Sequence, residues 1–126
     1  MFALTGCSPS SDKPAADGST KASGDTSAPA KTKGTIAYTP LTLSNPFFKV
    51  IGDHITAEAA KNGYDTLMVD PDMDVKKQSD QFDDFISSGV IAIILVPCDR
   101  LSIGPAVKLA NAKGIPVFTV DAKCAA

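Results

Sequence analysis

Three groups of side chains in this sequence have chemistry to offer outside a core. An amide and two aromatic rings stand together in Asn45-Pro46-Phe47-Phe48, a carboxylate and a guanidinium in Asp99-Arg100, and a second carboxylate, Asp121, ends an apolar run. Amides and carboxylates satisfy hydroxyl groups, and an aromatic plate covers a flat apolar surface. That is equipment for holding a small ligand, and the corner at Asn45 reads as half of such a site. It is poor equipment for making bonds. No nucleophile-base pair can be assembled around Cys98 or Cys124, and His54, the only histidine, has no Cys or His four residues away to share a metal. No catalysis, cofactor or metal is expected.

The corner needs a strand before it and a helix after it. Residues 35–39 (TIAYT) are β-prone and apolar, and Pro40 ends them. Ser44 or Asn45 can cap the first free backbone N–H groups, and Pro46 suits the first helical position. The helix runs to Asn62, with Phe47, Ile51, Ile55 and Ala59 at four-residue steps as its inward face. Adjacent helical residues point about 100° apart, so this phase puts Phe47 in the core and leaves Phe48 as the ligand plate.

The same grammar repeats. Residues 64–70 form a second strand, and Asp74 caps a helix through Ser88 whose inward stripe is Val75, Ser79, Phe82, Phe85 and Ile86. The uniformly apolar run 90–96 fits a central strand buried on both faces. Ser102 or Ile103 opens a third helix through Lys113, and residues 115–120 form a fourth strand. Gly63, Gly89 and Gly114 close the three helices. This β-α-β-α-β-α-β order predicts an α/β fold, a parallel sheet with helices on both faces. Ligands on such sheets bind at the strands' carboxyl ends. If the first, third and fourth strands are neighbours, Asn45, Phe47, Phe48, Asp99 and Asp121 converge there. Asp99 also reads as a cap for the helix that follows it.

Composition divides the chain into residues 1–7, 8–33 and 34–126. Residues 8–33 contain no Val, Ile, Leu, Met, Phe, Tyr or Trp and read as a disordered linker, unable to bury enough apolar surface to offset ordering entropy. The net charge of -2 divides into +1 on residues 8–33 and -3 on residues 34–126, with basic residues dispersed. A nucleic-acid partner is not expected. No run reaches the roughly 20 apolar residues of a membrane span. The opening Leu4-Thr5-Gly6-Cys7 resembles a bacterial lipoprotein cleavage box, which implies lipid on the Cys7 thiol and membrane attachment through it. A basic region and an apolar stretch do not fit ahead of Leu4, so residues 1–7 read as the remnant of a signal peptide.

Four features in register give residues 34–121 a further resemblance. They are the Asn-Pro-Phe-Phe corner, the helix from Gln78 to Asp84 leading to Phe85-Ile86, the strand ending Val96-Pro97 with Asp99, and Gly114-Ile115-Pro116-Val117 leading to Asp121. The chain is similar to the amino-terminal lobe of ribose-type periplasmic sugar-binding proteins, the substrate-binding components of ABC importers. That likeness implies a two-lobed clamp in the cell envelope, of which this chain is an incomplete lobe, delivering a monosaccharide to an ABC permease. It implies that Asn45 bonds ring hydroxyls, that Phe47 and Phe48 lie against the sugar's C–H face, and that Asp121 accepts from two hydroxyls. The family pattern has an Arg after that Asp; here it is Ala122, with Arg100 a partial substitute, so the ligand need not be ribose. Two other functions share this fold class. A regulator-type effector domain needs a helix-turn-helix that residues 8–33 cannot form. A flavodoxin-like carrier needs a phosphate cradle, and only Thr39, Thr42 and Ser44 offer one. Cys98 and Cys124 follow neighbouring strand ends, which leaves a disulfide between them open.

Overall fold

A computed structural model describes residues 31–125. The cleavage-box Cys7 and nearly all of the 8–33 linker lie outside the described residues. The elements are β1 (Thr35–Thr39), α1 (Pro46–Lys61), β2 (Asp65–Met68), α2 (Val75–Ser88), β3 (Ala92–Leu95), α3 (Gly104–Ala112) and β4 (Val117–Thr119). All pairings are parallel, in the order β2-β1-β3-β4. The expected class and element sequence are therefore those observed.

The strands alternate their side chains between two faces. Tyr38, Val96 and Phe48 are the buried members of a cluster with α1, joined by half-buried Ile51, Ile55, Met68 and Ile94. On the opposite face Ala37, Ile93 and Leu95 pack with Phe82 and Phe85 of α2 and Val107 and Ala110 of α3. Helices cover both faces, as the crossovers require.

The differences from expectation have local causes. The second, third and fourth strands are shorter than their apolar runs, because only the central residues sit in the ladder. Single bonds continue it, Val69 N–H to the Tyr38 carbonyl (3.0 Å), Val96 N–H to Thr39 (2.9 Å) and Val120 N–H to Leu95 (2.9 Å), as the chain turns into its loops. The third strand is not buried on both faces. Ile94 is only half-buried and its partner on β4, Phe118, is 58% exposed, since α1 alone covers that side. The third helix begins later than Ser102 or Ile103, because the Asp99 Oδ1 takes the N–H groups of Leu101 (3.1 Å) and Ser102 (2.7 Å) and turns the chain first. The stripe of α2 is rotated toward Gln78 and Gln81, both buried with Phe82 and Phe85, whereas Val75, Ser79 and Ile86 are half-buried. Its end is as expected, with Gly89 in the left-handed region at φ 70°.

The register of α1 is the most consequential correction. Phe48, not Phe47, enters the core: Phe48 is 8% exposed and Phe47 55%. Gly52 explains the rotation. A Cβ there would lie 2.4 Å from the Met68 sulfur and 3.0 Å from the Tyr38 ring, so α1 approaches the sheet along its glycine. The residue one turn before Gly52 is Phe48, which is therefore carried inward.

Candidate functional site

The sheet order puts the loops after β1, β3 and β4 side by side at the carboxyl edge. Two strand spacings, about 10 Å, separate the ends of β1 and β4, with β3 between them.

The corner is built by capping. Asn45 has extended backbone at the start of α1, and its Oδ1 accepts the Phe47 N–H at 3.0 Å. That leaves the amide NH2 as the group Asn45 offers outward. The buried Tyr38 hydroxyl donates to the Phe48 carbonyl (3.1 Å), pinning the first turn of α1 to β1, and burial pushes the Tyr38 phenol up to about 12. The two rings meet edge to face, with centroids 5.2 Å apart and planes at 75°. Phe48 is buried behind the Phe47 ring, which is open to solvent.

The loop leading to this corner is held from β2. The Asp70 carboxylate accepts the Leu43 N–H (3.0 Å) through Oδ2 and the Asp72 N–H (2.8 Å) through Oδ1. Met73 N–H donates to the Leu41 carbonyl at 2.8 Å. A carboxylate between two loops shows only as one more surface acid in sequence, and sequence reasoning missed it.

Asp99 is occupied locally, capping its turn as expected. The bonds from Ser102 first, then from Leu101, hold its carboxyl below the ordinary aspartate range. Arg100 turns away from the Asn45 corner: its Nε donates to the Lys123 carbonyl (2.8 Å), and the Ala125 N–H returns to the Arg100 carbonyl (2.9 Å). The β3 loop and the segment after β4 are thus joined. An open concavity of about 510 Å³ is lined by Cys98, Asp99, Arg100, Leu101 and Ala125. Asn45, Phe47, Phe48 and Asp121 do not line it; Asn45, Phe47 and Asp121 are exposed, and Phe48 is buried in the core beneath α1.

Asp121 is exposed and held at φ 67°, while the Ala122 N–H bonds the Val120 carbonyl at 2.8 Å. A two-residue bond around a positive φ is a γ-turn, a strained conformation for a residue with a Cβ. Cys98 and Cys124 are free thiols rather than a disulfide. Burial, followed by the charges of Asp74 and Asp70, pushes the Cys98 thiol up to about 11. It is a poor nucleophile there.

Residues 36–126 match the periplasmic binding protein domain family. The chain is 37% identical over 124 residues to a ribose import binding protein of Bacillus subtilis, covering 96% of this chain and 37% of the relative. It is 38% identical over 95 residues to a ribose import binding protein of Escherichia coli, covering 75% of this chain and 32% of that one. A solved ABC transporter solute-binding protein from Mycobacterium smegmatis, with bound glycerol, superposes with a TM-score of 0.69 at 29% identity, covering 74% of this chain and 32% of its own. The chain thus spans about a third of the length of the relatives it matches. Fold, family match and carboxyl-edge geometry agree: the chain belongs to the periplasmic binding protein domain family.

Proposed function

We propose that this chain is part of the amino-terminal lobe of a solute-binding protein that captures a monosaccharide or related polyol and passes it to an ABC permease, without catalysis. The observation that carries the reading is Asp121, an exposed carboxylate kept in a strained turn on the same sheet edge as the exposed Phe47 ring. Strain at a loop tip persists where function requires it. An aldose presents a C–H face that suits an aromatic plate and a hydroxyl rim that suits a carboxylate and an amide. In this reading Phe47 stacks on the sugar with Phe48 behind it, Asn45 donates through its NH2, and Asp121 accepts from two hydroxyls. Asp99 and Arg100 flank the far side. Ribose import by the bacterial relatives and glycerol in the structural neighbour support the ligand class.

Titration calorimetry of the full-length protein against pentoses, hexoses and polyols tests this. One of them should bind, and Asp121→Ala should weaken it more than tenfold, about 1.4 kcal/mol. Heat from none of them, or unchanged affinity in Asp121→Ala, would overturn the assignment.

Cys7 carries a second part of the proposal, a place in the cell envelope, in the periplasm or on the outer face of the cytoplasmic membrane, held by lipid on its thiol. Residues 8–33 would then be the tether between anchor and folded lobe. Labelling with an alkyne fatty acid should mark the protein, and Cys7→Ser should abolish the label; equal labelling of both refutes the anchor.

A further inference from the structure

Gln78 lies on α2 at the phase of Phe82 and Phe85 and is 1% exposed. A buried amide keeps its place only when its polar atoms are matched, and here they are. Its Nε2 faces the Val96 carbonyl (3.0 Å), the Pro40 carbonyl (3.1 Å) and the Thr39 hydroxyl oxygen (3.3 Å). Its Oε1 accepts the Cys98 N–H at 2.8 Å. The Thr39 hydroxyl in turn donates to the Gln81 Oε1 at 2.7 Å, which leaves the Thr39 oxygen turned as an acceptor toward Gln78. Every partner of the Gln78 side chain is at the carboxyl end of β1 or β3 or in the loop that follows. One planar group therefore spans the two central strands at the point where both chains leave the sheet.

We propose that Gln78 is a positioning residue for the ligand site. Resting on the sugar-binding reading above, it sets the register between the loop that carries Asn45 and leads into Phe47 of α1 and the loop that carries Asp99 and Arg100. Only an amide satisfies this place, because donors must face two carbonyls while an acceptor meets an N–H. Glutamate, of equal size, would aim an oxygen at the Val96 and Pro40 carbonyls. The weak Cys98 thiol contact to the Leu41 carbonyl, at 3.7 Å, cannot replace the amide as a bridge. Loops fixed before the ligand arrives lose less freedom on binding.

The test compares Gln78→Glu with Val107→Ala in the full-length protein. Val107 is a buried core residue of α3 and takes part in none of the Gln78 hydrogen bonds, so its variant controls for lost stability. Calorimetry with D-ribose and xylitol, and backbone amide exchange without ligand, are read on both. Gln78→Glu should weaken sugar binding at least tenfold and speed exchange in residues 41–44 and 98–101 together, while Val107→Ala changes neither by more than twofold. Equal affinity in wild type and Gln78→Glu, or loosening of one loop without the other, overturns the inference. Coupled loosening with no sugar bound by wild type supports the positioning role and counts against the sugar-binding reading. If Gln78→Glu does not fold, wild-type exchange decides: a Cys98 amide protected at least a hundredfold relative to an unstructured peptide supports the bridge, and exchange at the peptide rate refutes it.

Discussion

Truncating each ring of the Phe47-Phe48 pair should separate ligand binding from folding. Phe48 is 8% exposed in the α1-side cluster, whereas Phe47 is 55% exposed. Removing a buried phenylalanine costs about 3–5 kcal/mol, and the α1-side cluster is small, so the low end, about 3 kcal/mol, applies to Phe48→Ala. Phe47 has less than half of its surface to lose, worth about 1 kcal/mol with the edge-to-face contact included. Urea denaturation with unchanged slope should therefore show a stability loss in Phe48→Ala about three times that in Phe47→Ala. Calorimetry on the folded proteins should show the reverse order. Phe47→Ala loses the plate and more than tenfold in sugar affinity, about 1.4 kcal/mol, and Phe48→Ala loses less. Equal stability losses, or the larger loss in Phe47→Ala, would refute the helix register on which this reasoning stands.

The other predictions concern strain, acid and sulfur. Asp121→Gly relieves the positive φ, so it should raise stability by about 0.5–1 kcal/mol in urea while removing sugar binding; a loss of stability would contradict the strain argument. Asp99 has its pKa lowered by the N–H groups of Ser102 and Leu101, so its charged form contributes stability above the ordinary aspartate pKa of 3.8 and loses that contribution as pH falls through the lowered value. The stability gap between wild type and Asp99→Asn should accordingly be present at neutral pH and close in acid, and a gap independent of pH would be inconsistent with it. A Cys98 thiol raised from 9.0 to about 11 carries about a hundredfold less thiolate at neutral pH, so peptide-resolved alkylation of Cys98 should be about that much slower in folded than in unfolded protein. Comparable rates would show that the site is open.

Much of this fold was legible because the decisive signals are local. The first strand is TIAYT as read, Asn45 caps α1, Asp74 caps α2 through a 2.8 Å bond to the Lys77 N–H, and Gly89 stops it. What was missed depends on which side of an element faces its neighbour. A stripe through Phe47, Ile51, Ile55 and Ala59 holds more apolar residues than one through Phe48 and Gly52, so counting favours it; close approach at Gly52 instead buries Phe48 and exposes Phe47, while Ala59 is buried as expected and Ile51 and Ile55 are half-buried against the core. The sequence holds a clue, since a glycine inside a helix that has every other mark of stability invites contact rather than flexibility. Gln78 carried a similar clue, an amide at the phase of two phenylalanines. Asp70 carried none, because its role exists only once β2 lies beside β1. Of the site itself, the shared sheet edge was readable from topology, while the turning of Arg100 toward Lys123 was not.

The sheet divides the core unequally. Ten buried residues anchor the α2 and α3 side and three anchor the α1 side, so among the described residues the helix that carries the Asn45 corner has the least to lose by lifting away. Measured affinity would then be an intrinsic affinity scaled by the fraction of molecules in which α1 is docked. Substitutions at Tyr38, Met68 or Gly52 would tune that fraction, and with it sugar capture at low concentration, without any of those side chains meeting the sugar.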